Sequence, residues 1–203
     1  MGEWRSWRSN PPHNYFSPRF SVDMWFDQLD ESLVDSLLEE AKKNEDLYLE
    51  DRWEHYNTFT WDCECMDILG KVIQKSYLDF CKKLMVRPER VWIRGWIYPQ
   101  KKGMTLNRHY HAIHENSYLS GNICLTQNDT TTNYDIPYLG WIKVSNRKGD
   151  MTLFPSSLPH AVDQLEDEER YSLAFDLITE QGMDYFWCNN TNECDPLLLA
   201  VEL

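Results

Sequence analysis

From residue 91 to residue 178 the chain is a series of short apolar runs broken by turn residues, with no helical period between any two of them. Residues 91–98, 118–125, 140–144, 150–154 and 171–178 read as strands, being rich in branched and aromatic side chains. Turn residues separate them at 99–103, 128–137 and 146–149. Strands that follow one another without crossover helices must pair antiparallel. This half therefore predicts a sandwich or barrel and excludes a doubly wound sheet.

The first half has a different period. Leu33, Val34, Leu37, Leu38 and Ala41 recur at helical spacing, with Glu39, Glu40, Lys42 and Lys43 off that face and Asp30 placed as an N-cap. A second helix is expected from Met66 to Met85, striped by Ile68, Leu69, Val72, Ile73, Tyr77, Phe80, Cys81 and Leu84 and ended by Pro88. Residues 1–22 show no period and read as an arm across the domain. Two helices ahead of a strand-only half predict helices braced against one outer face of the sheets.

Composition narrows the function classes. The 203 residues suit one domain, and 42% hydrophobic content with nine Trp, eleven Tyr and eight Phe excludes disorder. A net charge of −13 would repel a phosphate backbone, so neither nucleic acid nor an anionic membrane is an expected partner. No apolar run is long enough to span a bilayer, and the first residues show no secretory h-region. The six cysteines, at 63, 65, 81, 124, 188 and 194, lack zinc-finger spacing; reduced thiols in a cytoplasm are expected, the host's if the chain is phage-encoded. Lys101, Lys102 and Arg108 form a basic strip that reads either as exposed surface or as the mouth of a site for an anion.

Four of the six histidines lie in the strand half: His109, His111, His114 and, about fifty residues on, His160. His109 and His111 are two apart and on a strand share a face. Imidazoles suit a first-row transition metal, and a third ligand from a distant strand would complete a facial set. His160 follows Pro155 and Pro159, which fix the local path; the doublet could equally be a polar outer face, and His13 and His55 have no such context. Ten residues after His160 stands Arg170, with Ser172 on the same strand face. That pair could grip a carboxylate, or Arg170 could answer the acidic run 166–169 at the surface.

Together these residues resemble the 2-oxoglutarate/Fe(II) dioxygenase superfamily, whose pattern is H-x-(D/E), a distal His and an Arg about ten residues later. The segment from Tyr98-Pro99 to Gly103, leading into Arg108-His109-Tyr110-His111, looks like the corresponding turn of prolyl hydroxylases. His109-Tyr110-His111, Leu119-Ser120-Gly121, Phe154-Pro155-Ser156 with His160, and Arg170-Tyr171-Ser172 are similar to a dioxygenase group common in phage genomes. The resemblance covers residues 91–178.

It implies a mainly β fold with N-terminal helices: a double-stranded β-helix, a cupin-like jelly roll, braced by two α-helices. The single domain 1–203 would divide into arm and supporting helices (1–88), core (89–178) and C-terminal tail (179–203). It implies Fe(II) on His109, His111 and His160, and 2-oxoglutarate on Arg170, Ser172 and Tyr98. O2 would be consumed, succinate and CO2 released, and a protein side chain or small metabolite hydroxylated. The departure is at position 111, where the superfamily has a carboxylate; His111, His114, Glu115 or none of them would complete the triad. Two other readings are a cupin-like three-His metalloprotein that does not use 2-oxoglutarate, and a non-catalytic jelly-roll binding protein. The loop 127–137 and the aromatics Trp96, Tyr110 and Trp141 are expected around the cleft.

Overall fold

The computed structural model describes residues 2–8, 20–48, 56–111, 117–183 and 201–203. Among these residues the architecture is mainly β, with two antiparallel sheets and two long helices. The larger sheet holds seven strands in the order β1 (Glu3–Arg8), β2 (Ser21–Gln28), β8 (Asp150–Pro155), β5 (Ser117–Cys124), β10 (Glu169–Thr179), β3 (Val91–Lys101) and β11 (Val201–Glu202). The smaller sheet has four: β4 (Leu106–His109), β9 (His160–Val162), β6 (Thr131–Ile136) and β7 (Gly140–Ser145). Three strands of the larger sheet, β1, β2 and β11, lie outside 89–178, so the segment read as an arm supplies one sheet edge.

Strand alternation sorts side chains into two interfaces. On β3, Ile93, Gly95 and Ile97 face one way and Arg94, Trp96, Tyr98 and Gln100 the other. On β10, Tyr171, Leu173, Phe175 and Leu177 alternate with Arg170, Ser172, Ala174 and Asp176. The apolar set packs in one cluster with Val34, Leu37 and Ala41 of α1 (Glu31–Lys43) and Leu69, Ile73, Tyr77 and Phe80 of α2 (Glu64–Leu84). A second cluster joins the two sheets at one end, through Val22 and Met24 of β2, Tyr134 and Ile136 of β6, Phe154 and Leu158. Away from that cluster, the polar set faces a cavity.

Both helices form where the periodicity placed them, with different ends. Asp30 has extended N-cap geometry, but its side chain makes no capping bond. α2 starts at Glu64 and stops before Pro88 because Met85 turns left-handed (φ 57°) and its N–H returns to the last turn. The segment 128–137, expected to be a turn, is largely strand β6, paired on both sides by β7 and β9. Its polar residues are satisfied internally: Thr132 Oγ1 donates to Asn146 Oδ1 (2.8 Å) and Asn133 Nδ2 to Asp163 Oδ1 (2.7 Å). No described helix is long and apolar enough to cross a membrane, and the described cysteines, 63, 65, 81 and 124, are free thiols.

Gly121 on β5 lies opposite Phe175 on β10, and a Cβ there would stand 2.2 Å from the ring's Cζ. Phe175 is fully buried against the helices and has nowhere to swing. Gly121→Ala is expected to destabilise the fold by about 1–3 kcal/mol, the usual range for overpacking. A shift in urea midpoint at constant m-value is the measurement.

Candidate metal and carboxylate site

A cavity of about 570 Å³ opens between the two sheets. β3 and β10 supply one wall: Arg94, Trp96 and Tyr98 from β3, and Arg170, Ser172, Ala174 and Asp176 from β10. Their register sets Gln100 opposite Arg170, Tyr98 opposite Ser172, and Arg94 opposite Asp176. β5 adds Asn122, β6 adds Thr132, and His109, His111 and His160 close the other side.

The three histidines converge although they come from different segments. His109 ends β4 and pairs with His160, which begins β9. The strand stops at His109, so His111 does not reach the site by strand alternation as the spacing suggested. It is held instead by its backbone N–H, which donates to Ser156 O at 3.0 Å. Ring centroids lie 4.3 Å apart for His109 and His160, 5.1 Å for His111 and His160, and 5.4 Å for His109 and His111. One ligand atom from each lies within 4.8 Å of the other two. A facial set around one ion, at N–metal distances of about 2.1 Å, would bring such atoms to about 3 Å.

Hydrogen bonding settles which nitrogen faces the cavity. His109 Nδ1 lies 2.8 Å from Asn107 O, His160 Nδ1 lies 3.0 Å from Leu158 O, and His111 Nδ1 lies 2.9 Å from Asp176 Oδ1. Each partner is an acceptor, so each Nδ1 is the donor there and each Nε2 is the nitrogen left for the cavity. Three neutral imidazole donors on one centre form a donor set suited to a first-row divalent metal. His114 and Glu115, the other candidates for the triad, lie outside the described residues, as do His13 and His55.

Burial disfavours the charged form of two of these rings, His160 and His109. It pushes His160 down from its usual 6.5 to about 3, helped by the neighbouring His111 and His109, and it also lowers His109. The unfolded chain takes up the His160 proton near pH 6.5 while the folded chain refuses it until about pH 3, so stability drains away as pH falls from 6.5 towards 3. Denaturant titration of the metal-free protein should lose about 2 kcal/mol to this residue between pH 7.5 and pH 5, and His160→Asn should remove that share of the slope.

Arg170 is not at the surface. It is 1% exposed, and the acidic residues 166–169 do not pair with it. Its Nη1 donates to Gln100 Oε1, and its Nε is buried with no hydrogen-bond partner among the described residues. No carboxylate forms a salt bridge with it among those residues either. A buried guanidinium held this way is costly unless an anion completes it. Ser172 Oγ donates to Tyr98 O at 3.3 Å and faces the same space; Tyr98 is half-buried beside it.

Other expectations about the rim fall differently. Trp96 lines the cavity with its ring 5.4 Å from His111, and Tyr110 lines it while 58% exposed. Trp141 does not line it and is 49% exposed on β7. Lys101, Lys102 and Arg108 are exposed, with Lys102 paired to Glu168 and Arg108 to Asp135. Thr132, from the segment 127–137 expected around the cleft, does line the cavity, whereas sequence reasoning missed Arg94, Asn122 and Asp176. Asp176 had a usable signal, since it continues the i, i+2 row of Arg170 and Ser172.

No family model matches the chain, and no curated protein matches it in sequence. Solved structures do match its fold. A Pseudomonas putida prolyl-4-hydroxylase aligns at TM-score 0.63 and 16% identity, over 76% of this chain and 92% of that one. The viral collagen prolyl hydroxylase of Paramecium Bursaria Chlorella virus-1, as a truncated chain, aligns at TM-score 0.57 and 16% identity, over 77% and 90%. HygX from Streptomyces hygroscopicus, with nickel and 2-oxoglutarate bound, aligns at TM-score 0.52 and 14% identity, over 77% and 82%. At these identities the likeness is one of fold.

Proposed function

We propose that this chain is a 2-oxoglutarate- and Fe(II)-dependent dioxygenase, a hydroxylase built as one domain on a double-stranded β-helix. The observation that carries this reading is the pairing, in one cavity, of three converging imidazoles with a fully buried arginine that lacks an anionic partner among the described residues. A metal site alone needs no such arginine, and an anion site alone needs no such histidines. The phage-type motif grouping and the fold of the similar structures point the same way.

In this reading His109, His111 and His160 hold the iron through their Nε2 atoms. Arg170, steadied by Gln100, takes the distal carboxylate of 2-oxoglutarate in a forked set of hydrogen bonds, and Ser172 adds a further donor. Tyr98 borders the same end. When bound together, Fe(II) and 2-oxoglutarate supply an O2-dependent oxidant that hydroxylates a substrate C–H bond, with succinate and CO2 as coproducts. The cavity is within the usual range for small-ligand sites and larger than a five-carbon diacid requires, which leaves room for part of a metabolite or protein side chain. Trp96 and Phe154, within 6.2 Å of the His111 ring, keep that side of the site apolar.

The test is an anaerobic titration of the metal-free protein with Fe(II) and then 2-oxoglutarate. A weak visible charge-transfer band that needs both additions is the expected result. Iron binding without a band would replace this reading with that of a three-His metalloprotein. No metal binding at all would remove the enzyme reading.

A further inference from the structure

We propose that Asp176 is the carboxylate of this metal centre, acting through His111 instead of binding the ion itself. The proposal rests on the reading of the histidine triad as a metal site.

Three observations meet at this residue. Its Oδ1 accepts from His111 Nδ1 at 2.9 Å and from Ser120 Oγ at 2.5 Å. Ser120 is fully buried on β5, directly across the ladder from Asp176, and is hydrogen-bonded at 2.9 Å to Ser156 Oγ. Ser156 O in turn holds the His111 backbone N–H, so ring and carboxylate are fixed by one connected network. Asp176 does not belong to the cluster of groups able to share an ion, and it meets His111 at Nδ1.

The charge count explains why a carboxylate there matters. Three neutral imidazoles bring no negative charge to a divalent cation. In the superfamily pattern this chain resembles, the residue at position 111 is itself a carboxylate. Here it is His111, and the negative charge lies one imidazole further out. A carboxylate on Nδ1–H fixes the tautomer and ring plane and makes Nε2 a stronger donor, effects that amount to about 10- to 100-fold in metal affinity where such partners are removed. The other two rings lack this support, since the backbone carbonyls of Asn107 and Leu158 hold them. His111 is therefore the distinct ligand of the three. Asp176 is a positioning residue that also supplies charge.

The experiment compares the wild type, Asp176→Asn and Ser120→Ala as metal-free full-length proteins. Each is titrated anaerobically with Co(II) and Fe(II) against a chromophoric chelator, and the Co(II) visible spectrum is recorded at saturation. Asp176→Asn keeps the size and removes the charge; it should weaken both metals by about 10- to 100-fold while leaving the shape of the saturated spectrum unchanged. Ser120→Ala keeps the charge and should weaken them by less than about threefold. Histidine ring ¹⁵N shifts of the metal-free wild type should show His111 as the Nδ1–H tautomer, and the variant should lose that preference. Equal affinities in wild type and Asp176→Asn would overturn the proposal. So would a changed Co(II) spectrum, which would make Asp176 a direct ligand. Failure of the wild type to bind either metal would remove both this proposal and the dioxygenase reading. Metal binding that depends on Asp176, without any 2-oxoglutarate band, would remove only the latter.

Discussion

Replacing Arg170 with glutamine is expected to weaken 2-oxoglutarate binding by about 10²- to 10³-fold while leaving Fe(II) affinity nearly unchanged. The magnitude follows from burial. Truncating one partner of a buried charge pair costs about 2–5 kcal/mol, because the other charge is left desolvated and unanswered. Arg170 is 1% exposed, its Nη1 is held by Gln100, and its Nε has no partner among the described residues. The separation from the metal follows from register. Arg170 and Asp176 are six residues apart on β10, His111 is bound at the Asp176 end, and Arg170 offers no ligand atom to the three-histidine group. Anaerobic titration would show the chelate band only at far higher 2-oxoglutarate concentration, with the Fe(II) isotherm preserved. Arg170→Lys should recover little, since one ammonium cannot reproduce the two-pronged contact. A variant that bound 2-oxoglutarate as tightly as wild type would move the carboxylate site elsewhere in the cavity.

The second large effect is expected at His160. Metal sites that support folding are worth about 10–16 kcal/mol in total, so one ligand of three carries several kcal/mol. His160→Ala should lower Fe(II) affinity on the order of 10³-fold. A thermal measurement separates this loss from misfolding. Saturating Co(II) or Fe(II) at about 100 times its dissociation constant should stabilise the wild type by about 2.7 kcal/mol and the variant not at all, and a chelator should reverse the wild-type gain. The metal-free variant should remain folded, because His160 contributes one buried ring to a site already bordered by Tyr134 and Phe154. An undiminished stabilisation by metal would show that the ion binds elsewhere.

Much of this arrangement could be read from the chain. The helical stripes of α1 and α2 are strict, because each helix buries a single face against the larger sheet, and a 3.6-residue period records that directly. The i, i+2 relation of Arg170 and Ser172 placed both on one face, and the F-P-S…H segment brought His160 forward as a ligand. Strand β6 was misread as a turn because it is built of Thr, Asn and Asp. Such residues signal a turn when their partners are local, yet here Thr132 and Asn133 are satisfied by Asn146 and Asp163 from other segments. β2 is strongly apolar, but its place between β1 and β8 depends on a pairing across more than a hundred residues.

What the sequence determined by itself is therefore the local and periodic part: two amphipathic helices, an antiparallel strand half, and the residue types able to hold a metal and a carboxylate. Only the tertiary structure decided which face each type occupies and whom it meets. Arg170 beside an acidic run could have been a surface ion pair, and burial between the sheets is what leaves it calling for an anion. His111 could have been a stray polar residue, and the contact with Asp176, 65 positions away, sets its tautomer and aims its free nitrogen. Periodicity records the direction a side chain takes from its own backbone. The partner it finds depends on strand register and sheet packing, which bring distant segments together by burying the same apolar faces.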